Sequence, residues 1–221
     1  KLILMRINFI IATLFLSLGS LAQDHPFYSI NDPKIKEKLN KVDPKDYQNL
    51  FFNALKYKIL NKTDLALENF AKCIALDGTE PAPMYESAVI YFKKGQLDQA
   101  LFFVESACQL DPSNKWYQQL LATTYLENSV YSKAIISFKK LLEIDPNNED
   151  WHFELASAYL LNNQRRNAIR VYDNLEKIVG PNEFLFQQKK RIYKDLGDKS
   201  SAIYEIEKWV EAEPYNFFKI I

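Results

Sequence analysis

Between residues 131 and 148 the chain sorts its apolar and polar side chains onto two sides of a helix. Ala134, Phe138, Leu141 and Leu142 recur at i, i+4, i+7 and i+8, while Lys133, Lys139, Lys140 and Glu143 take the other side. That spacing predicts an amphipathic helix with one dry stripe. Asp145-Pro146-Asn147-Asn148 ends it, because proline disfavours helical geometry in the residue before it and asparagine tolerates a turn. Asp111-Pro112 supplies the same stop 34 residues earlier, and Pro214 falls at twice that interval downstream.

The rest of the chain keeps this interval. Five tyrosines follow it (Tyr57, Tyr91, Tyr125, Tyr159, Tyr193), as do five alanines (Ala66, Ala100, Ala134, Ala168, Ala202). A third register holds Asn61, Gly95, Ser129, Asn163 and Gly197, at the point where a left-handed residue often closes one helix and turns into the next. Three sets sharing one period make an internal repeat. The units are 47–80, 81–114, 115–148, 149–182 and 183–216, run on as one array, and each splits into two helices of about 14 residues, roughly 21 Å long. Residues 23–46 read as a lead-in with a short capping helix after Pro33, on which Ile35, Leu39 and Val42 are spaced four and three apart. Residues 217–221 read as the start of a further helix cut short, and so as a sign of a fragment.

These residues resemble the tetratricopeptide repeat family, a 34-residue helix-turn-helix unit with large and small residues at set places. The third unit matches through Gln118, Leu121, Ala122, Tyr125, Ala134, Phe138 and Pro146, and the fourth through His152, Leu155, Ala156, Tyr159, Ala168, Tyr172 and Gly180. Leu50, Ala54, Tyr57, Ala66, Phe70 and Gly78 fit in the first unit, and Met84, Ala88, Tyr91, Ala100, Val104 and Pro112 in the second. The resemblance spans about residues 45 to 216 and implies an all-α fold, a right-handed α-α superhelix of about five such units. Lys189, Lys190 and Trp209 depart from the pattern, so the fifth unit is expected to be the least regular.

Charge excludes one class of partner. Lys plus Arg and Asp plus Glu number 28 each, with no basic block to neutralise phosphates, so no nucleic acid is expected. The first residues differ from the repeats. After Met5-Arg6, the residues Ile7, Phe9 to Ala12 and Leu14 to Leu18 form a short apolar run, followed by small residues at Ser20 and Ala22. Residues 1–22 therefore read as a signal peptide cleaved before Gln23, which places the mature chain in the bacterial envelope, in the periplasm. Membrane contact would then arise only if this segment stayed uncleaved. Export raises the question of a disulfide between Cys73 and Cys108, but the two lie one residue out of register, so both are expected as small buried hydrophobes.

Catalytic chemistry finds no constellation. His25 lies in the lead-in and His152 at a helix-packing position, with no HxxxH, HExxH or CxxC motif and no glycine-rich phosphate loop. No enzyme activity, metal or cofactor is expected. In the resembling family the first helix of each unit lines a concave face, and the implied groove positions here include Phe51, Tyr85, Phe92, Trp116, Gln119, Phe153, Phe184 and Arg191. Members that clamp a terminal carboxylate use Lys, Asn and Arg where this chain has Phe51, Leu55, Tyr85, Val89 and Gln119, so that mode is not expected. Each aromatic would serve equally well as packing between neighbouring first helices. As a set they suit a partner protein or peptide anchored by apolar side chains. The expected function is a non-catalytic interaction scaffold of the envelope. Its rivals are the repeat portion of a longer envelope signalling protein or enzyme, and a structural part of an outer-membrane assembly or secretion machine.

Overall fold

The computed structural model describes residues 44–212. The signal peptide, the capping helix after Pro33 and the segment 217–221 lie outside the described residues. Among the described residues the fold is all-α: α1 (Pro44–Ile59), α2 (Thr63–Leu76), α3 (Ala82–Lys93), α4 (Leu97–Leu110), α5 (Lys115–Glu127), α6 (Tyr131–Ile144), α7 (Glu149–Leu161), α8 (Arg165–Val179), α9 (Glu183–Asp195) and α10 (Lys199–Ala212). The chain divides into two compact units that part between Lys94 and Gly95.

The turns show why the period is visible in the sequence. Asn61, Gly95, Ser129, Asn163 and Gly197 all have positive φ, between 56° and 71°. At four of these turns the closing bonds run back to the register tyrosine: Lys62 N–H donates to the Tyr57 carbonyl, Val130 to Tyr125, Gln164 to Tyr159 and Asp198 to Tyr193. Asn61, Ser129, Asn163 and Gly197 donate to the carbonyl one residue further on. This is the Schellman arrangement, in which two carbonyls left over at a helix end are satisfied by the two residues that follow it.

The opposite ends are capped by a register that the sequence reading missed. Asn114, Asn148 and Asn182 precede α5, α7 and α9, and each side-chain oxygen accepts a hydrogen bond from a first-turn amide, at Trp116 (3.1 Å), Trp151 (3.0 Å) and Leu185 (3.0 Å). An asparagine there satisfies one of the four amides that a helix start leaves unpaired. Their own spacing of 34 was the available signal.

In the first unit α1 packs on α2 and α2 on α3. Ala54, Ala66, Phe70, Cys73 and Ala88 are buried there, the alanines completely. In the second unit each helix from α4 to α10 packs on the next. Ala122, Ala134, Ala156 and Ala168 are again fully buried, as small residues must be where two helices cross closely. Both cysteines are free and buried, and burial pushes each thiol up to about 12. They are inert core residues at neutral pH.

The fifth pair departs from expectation in chemistry, not in backbone. α9 and α10 are continuous helices of 13 and 14 residues. Lys189 is fully buried, and its ammonium is held by Asp173 (3.2 Å), Glu176 (3.0 Å) and Glu205 (2.8 Å) from the helices on either side. Trp209 is buried as well and stacks on Phe186 at 5.9 Å.

Candidate functional site

The implied groove residues fall in both units and meet different fates. In the first unit Phe51 is half-buried, stacked on Tyr47 at 6.4 Å and edge-on to Phe70 at 5.8 Å. It closes the α1/α2 hairpin with one edge still in water. Tyr85 and Phe92 are half-buried on α3.

In the second unit Trp116 stands out. It is 59% exposed in the first turn of α5, with the Lys115 ammonium 5.2 Å from its ring centre. Trp151 and Trp209 are buried, so Trp116 is the tryptophan in water among the described residues. Gln119 is half-buried one turn further along α5. Phe153 on α7 meets Phe184 on α9 edge-to-face at 5.2 Å, and also lies 6.4 Å from Tyr172. An edge-to-face pair at that distance is a favourable contact that orders both rings. Phe184 nevertheless remains 52% exposed. The structure thus joins Phe153 and Phe184 into one apolar ledge and leaves Trp116 projecting.

Arg191 has other company. It lines an open cleft of about 670 Å³ between α9 and α10 together with Gln187, Lys190, Lys194, Lys199 and Ile203. Lys190 and Lys194 flank it on α9 itself, whereas Lys199 and Ile203 reach the cleft through the packing of α10 on α9.

His152 plays the packing role expected of it. It is buried, and Nε2 lies 2.9 Å from the Pro146 carbonyl. A carbonyl can only accept, so Nε2 carries the proton and Nδ1 is an acceptor, buried without a hydrogen-bond partner. Gln118, 34 residues earlier, donates to the Pro112 carbonyl at 3.1 Å in the same way. The pair is a recurring tie from a first helix to the turn before it, and its chemistry is that of a donor. Among the described residues no three His, Cys, Asp or Glu side chains converge as metal ligands, and no helix is long and apolar enough to cross a membrane.

A polar cluster lies behind α5. Tyr125 donates to Glu105, and Lys133 sits 3.7 Å from the same carboxylate and 5.0 Å from the tyrosine ring centre. Burial, then the bond to the Glu105 carboxylate, pushes the Tyr125 phenol well above its ordinary range. The register tyrosine therefore carries its hydroxyl out to a charged partner while its ring fills the gap between helices.

Residues 83–114 and 117–148 match the sequence profile of the tetratricopeptide repeat. Among solved structures the chain is similar to the MamA protein at a TM-score of 0.65 and 16% identity, over 77% of this chain and 93% of that one. It is similar to MamA, from residue 41 to its end, from Desulfovibrio magneticus RS-1, at 0.60 and 16%, over 77% and 94%. It is also similar to YrrB, described as a tetratricopeptide repeat protein with an unusual peptide-binding site, at 0.62 and 16%, over 75% and 86%. At these identities the likeness is one of fold. No curated protein sequence matches the chain.

Proposed function

We propose, on the premise that this chain carries tetratricopeptide repeats, that it is a non-catalytic scaffold that holds a partner protein or peptide against the aromatic side chains of its first helices. One observation carries the reading: Trp116 stands 59% exposed at the start of α5. A large flat side chain left in water loses burial worth about 1.5 to 3 kcal/mol, so it is a ready anchor for an apolar residue of a partner. The Phe153–Phe184 ledge supplies a second anchor of the same kind. YrrB, with its peptide-binding site, supports a peptide as the form of partner.

The segment Met5 to Ala22 supports an envelope location, with the mature chain beginning at Gln23 in the periplasm. Mass spectrometry of the mature N-terminus tests this part, and a retained Met5 on membrane-bound protein would replace it with an anchor.

The binding reading is tested by pull-down from envelope fractions, followed by titration of the recovered partner while acrylamide quenching of tryptophan is recorded. Because Trp151 and Trp209 are buried, quenching reports on Trp116. Partner binding is expected to protect the indole, and Trp116→Ala to weaken affinity by about 1 to 4 kcal/mol. Unchanged quenching together with unchanged affinity in Trp116→Ala would remove the aromatic surface from the function.

A further inference from the structure

Glu154 on α7 is half-buried, and the charges that bear on it are negative. Burial, then the like charges of Glu127 and Asp150, raise its carboxyl above the usual 4.5. Among the described residues none of these three acids is ion-paired. Asp150 lies four residues before Glu154 and three before Phe153, so it is a helix-surface neighbour of both. Glu149 and Glu183, exposed in the first turns of α7 and α9, add negative charge to the same helix ends.

The repeat supplies a contrast within the same chain. Glu86 on α3 stands two periods before Glu154, and there Lys58 of α1 pairs with it. Two periods after Lys58 the chain has Leu126, buried on α5. A carboxylate that the first unit neutralises from the neighbouring first helix is therefore left facing a leucine position in the second. Of the cations on nearby helices, Lys115 and Lys139 lie over the rings of Trp116 and Tyr159, and Lys133 pairs with Glu105. Lys190, Arg191 and Lys194 line the cleft with α10.

These acids adjoin the apolar ledge of Phe153 and Phe184. An apolar side chain laid on that ledge brings its flanking residues over Asp150 and Glu154. A neutral or acidic flank would strip water from the carboxylates without pairing them, whereas a lysine or arginine replaces that water with an ion pair. We propose that the peptide held on the Phe153–Phe184 ledge is basic, with a lysine or arginine beside its apolar anchor received by Asp150 and Glu154. This rests on the aromatic reading of function given above and adds the charge of the partner to it.

The probes are fluorescein-labelled peptides of one sequence, with phenylalanine and leucine anchors flanked by lysines, by glutamines or by glutamates. Anisotropy is read with the full chain at low and at high salt. The lysine peptide is expected to bind about tenfold or more tighter than the glutamine peptide, the glutamate peptide weakest, and the lysine advantage to shrink as salt rises. Asp150→Asn/Glu154→Gln keeps side-chain shape, so it should remove that advantage while leaving the glutamine peptide's affinity and the circular dichroism unchanged. Phe184→Ala, at an exposed ring, should weaken the lysine and glutamine peptides alike. A lysine peptide that fails to bind, binds no better than the glutamine peptide, or keeps its advantage in the double variant would overturn the proposal. In those cases glutamine-peptide binding that is lost in Phe184→Ala would leave the aromatic reading standing, whereas binding indifferent to Phe184→Ala would remove the ledge as well.

Discussion

Lys189 Nζ lies 2.8 Å from the Glu205 carboxylate, and both side chains are buried. Glu176 on α8 accepts from Lys189 of α9 and also from Lys208 of α10, and so ties α8 to both following helices. Removing Lys189 leaves the buried Glu205 carboxylate charged without this partner, which is costlier than losing an exposed pair. Lys189→Met is expected to destabilise the fold by about 3 to 5 kcal/mol, and Lys189→Met/Glu205→Leu to recover part of that loss. Urea melts of both variants check it, and equal midpoints for the single and double variants would deny the coupling.

The same network sets a pH response. Burial alone would raise the Glu176 carboxyl, but the bonds from Lys208 and Lys189 outweigh it and hold the group below its usual 4.5. Its contribution is therefore complete above about 4.5 and is lost as pH falls through the lower folded-state value. Burial alone would lower the Lys189 ammonium, but the bonds from Glu205 and Glu176 outweigh it and raise the group above its usual 10.5. That contribution is complete below about 10.5 and fades as pH rises through the folded-state value. The network's contribution should be flat between these limits and fall on both sides, the two buried thiols should begin the alkaline fall in melting midpoint already near 9, and the acid loss should shrink in Lys189→Met.

Ala134 and Lys140 share α6 but not an environment. Ala134 is fully buried, and Lys140 is exposed. Ala134→Leu is expected to cost about 1 to 3 kcal/mol through overpacking, and Lys140→Ala to stay within about 0.5 kcal/mol. Denaturation midpoints distinguish them.

Ser129 and Gly95 hold the same left-handed turn position with φ of 59° and 70°. A side chain on left-handed backbone costs roughly 1 to 2 kcal/mol. A Cβ added at Gly95 would meet nothing within 4 Å, so Gly95→Ala should show the backbone cost alone, about 1 kcal/mol. Ser129→Gly should raise the melting midpoint. A fall in Ser129→Gly would mean that the serine side chain contributes more than its backbone strain removes.

His152 and Gln118 make equivalent bonds to the turn before their helices. His152→Gln is therefore expected to lie within about 0.5 kcal/mol of the parent, whereas His152→Leu, which strands the Pro146 carbonyl, should cost about 1 kcal/mol or more. Thermal melts decide between a tie of this kind and simple volume filling, under which leucine would be the better replacement.

Local order was legible in advance because it depends on neighbours within one turn. The tyrosine, alanine and turn registers announced where helices run and stop, since a Schellman end and a buried crossing alanine each place a definite demand on one residue. The asparagine caps could have been read from the same period. Tertiary packing decided the rest. Lys189 looked like a flaw in the fifth unit until the helices on either side brought three carboxylates to it. Phe153 and Phe184 met as a pair, while Arg191 came to share a cleft with Lys199 and Ile203 of α10. Charge pairing and cleft chemistry depend on which side chains of separate helices face one another. A 34-residue period fixes each helix's own stripe but leaves those cross-helix partners to the packing.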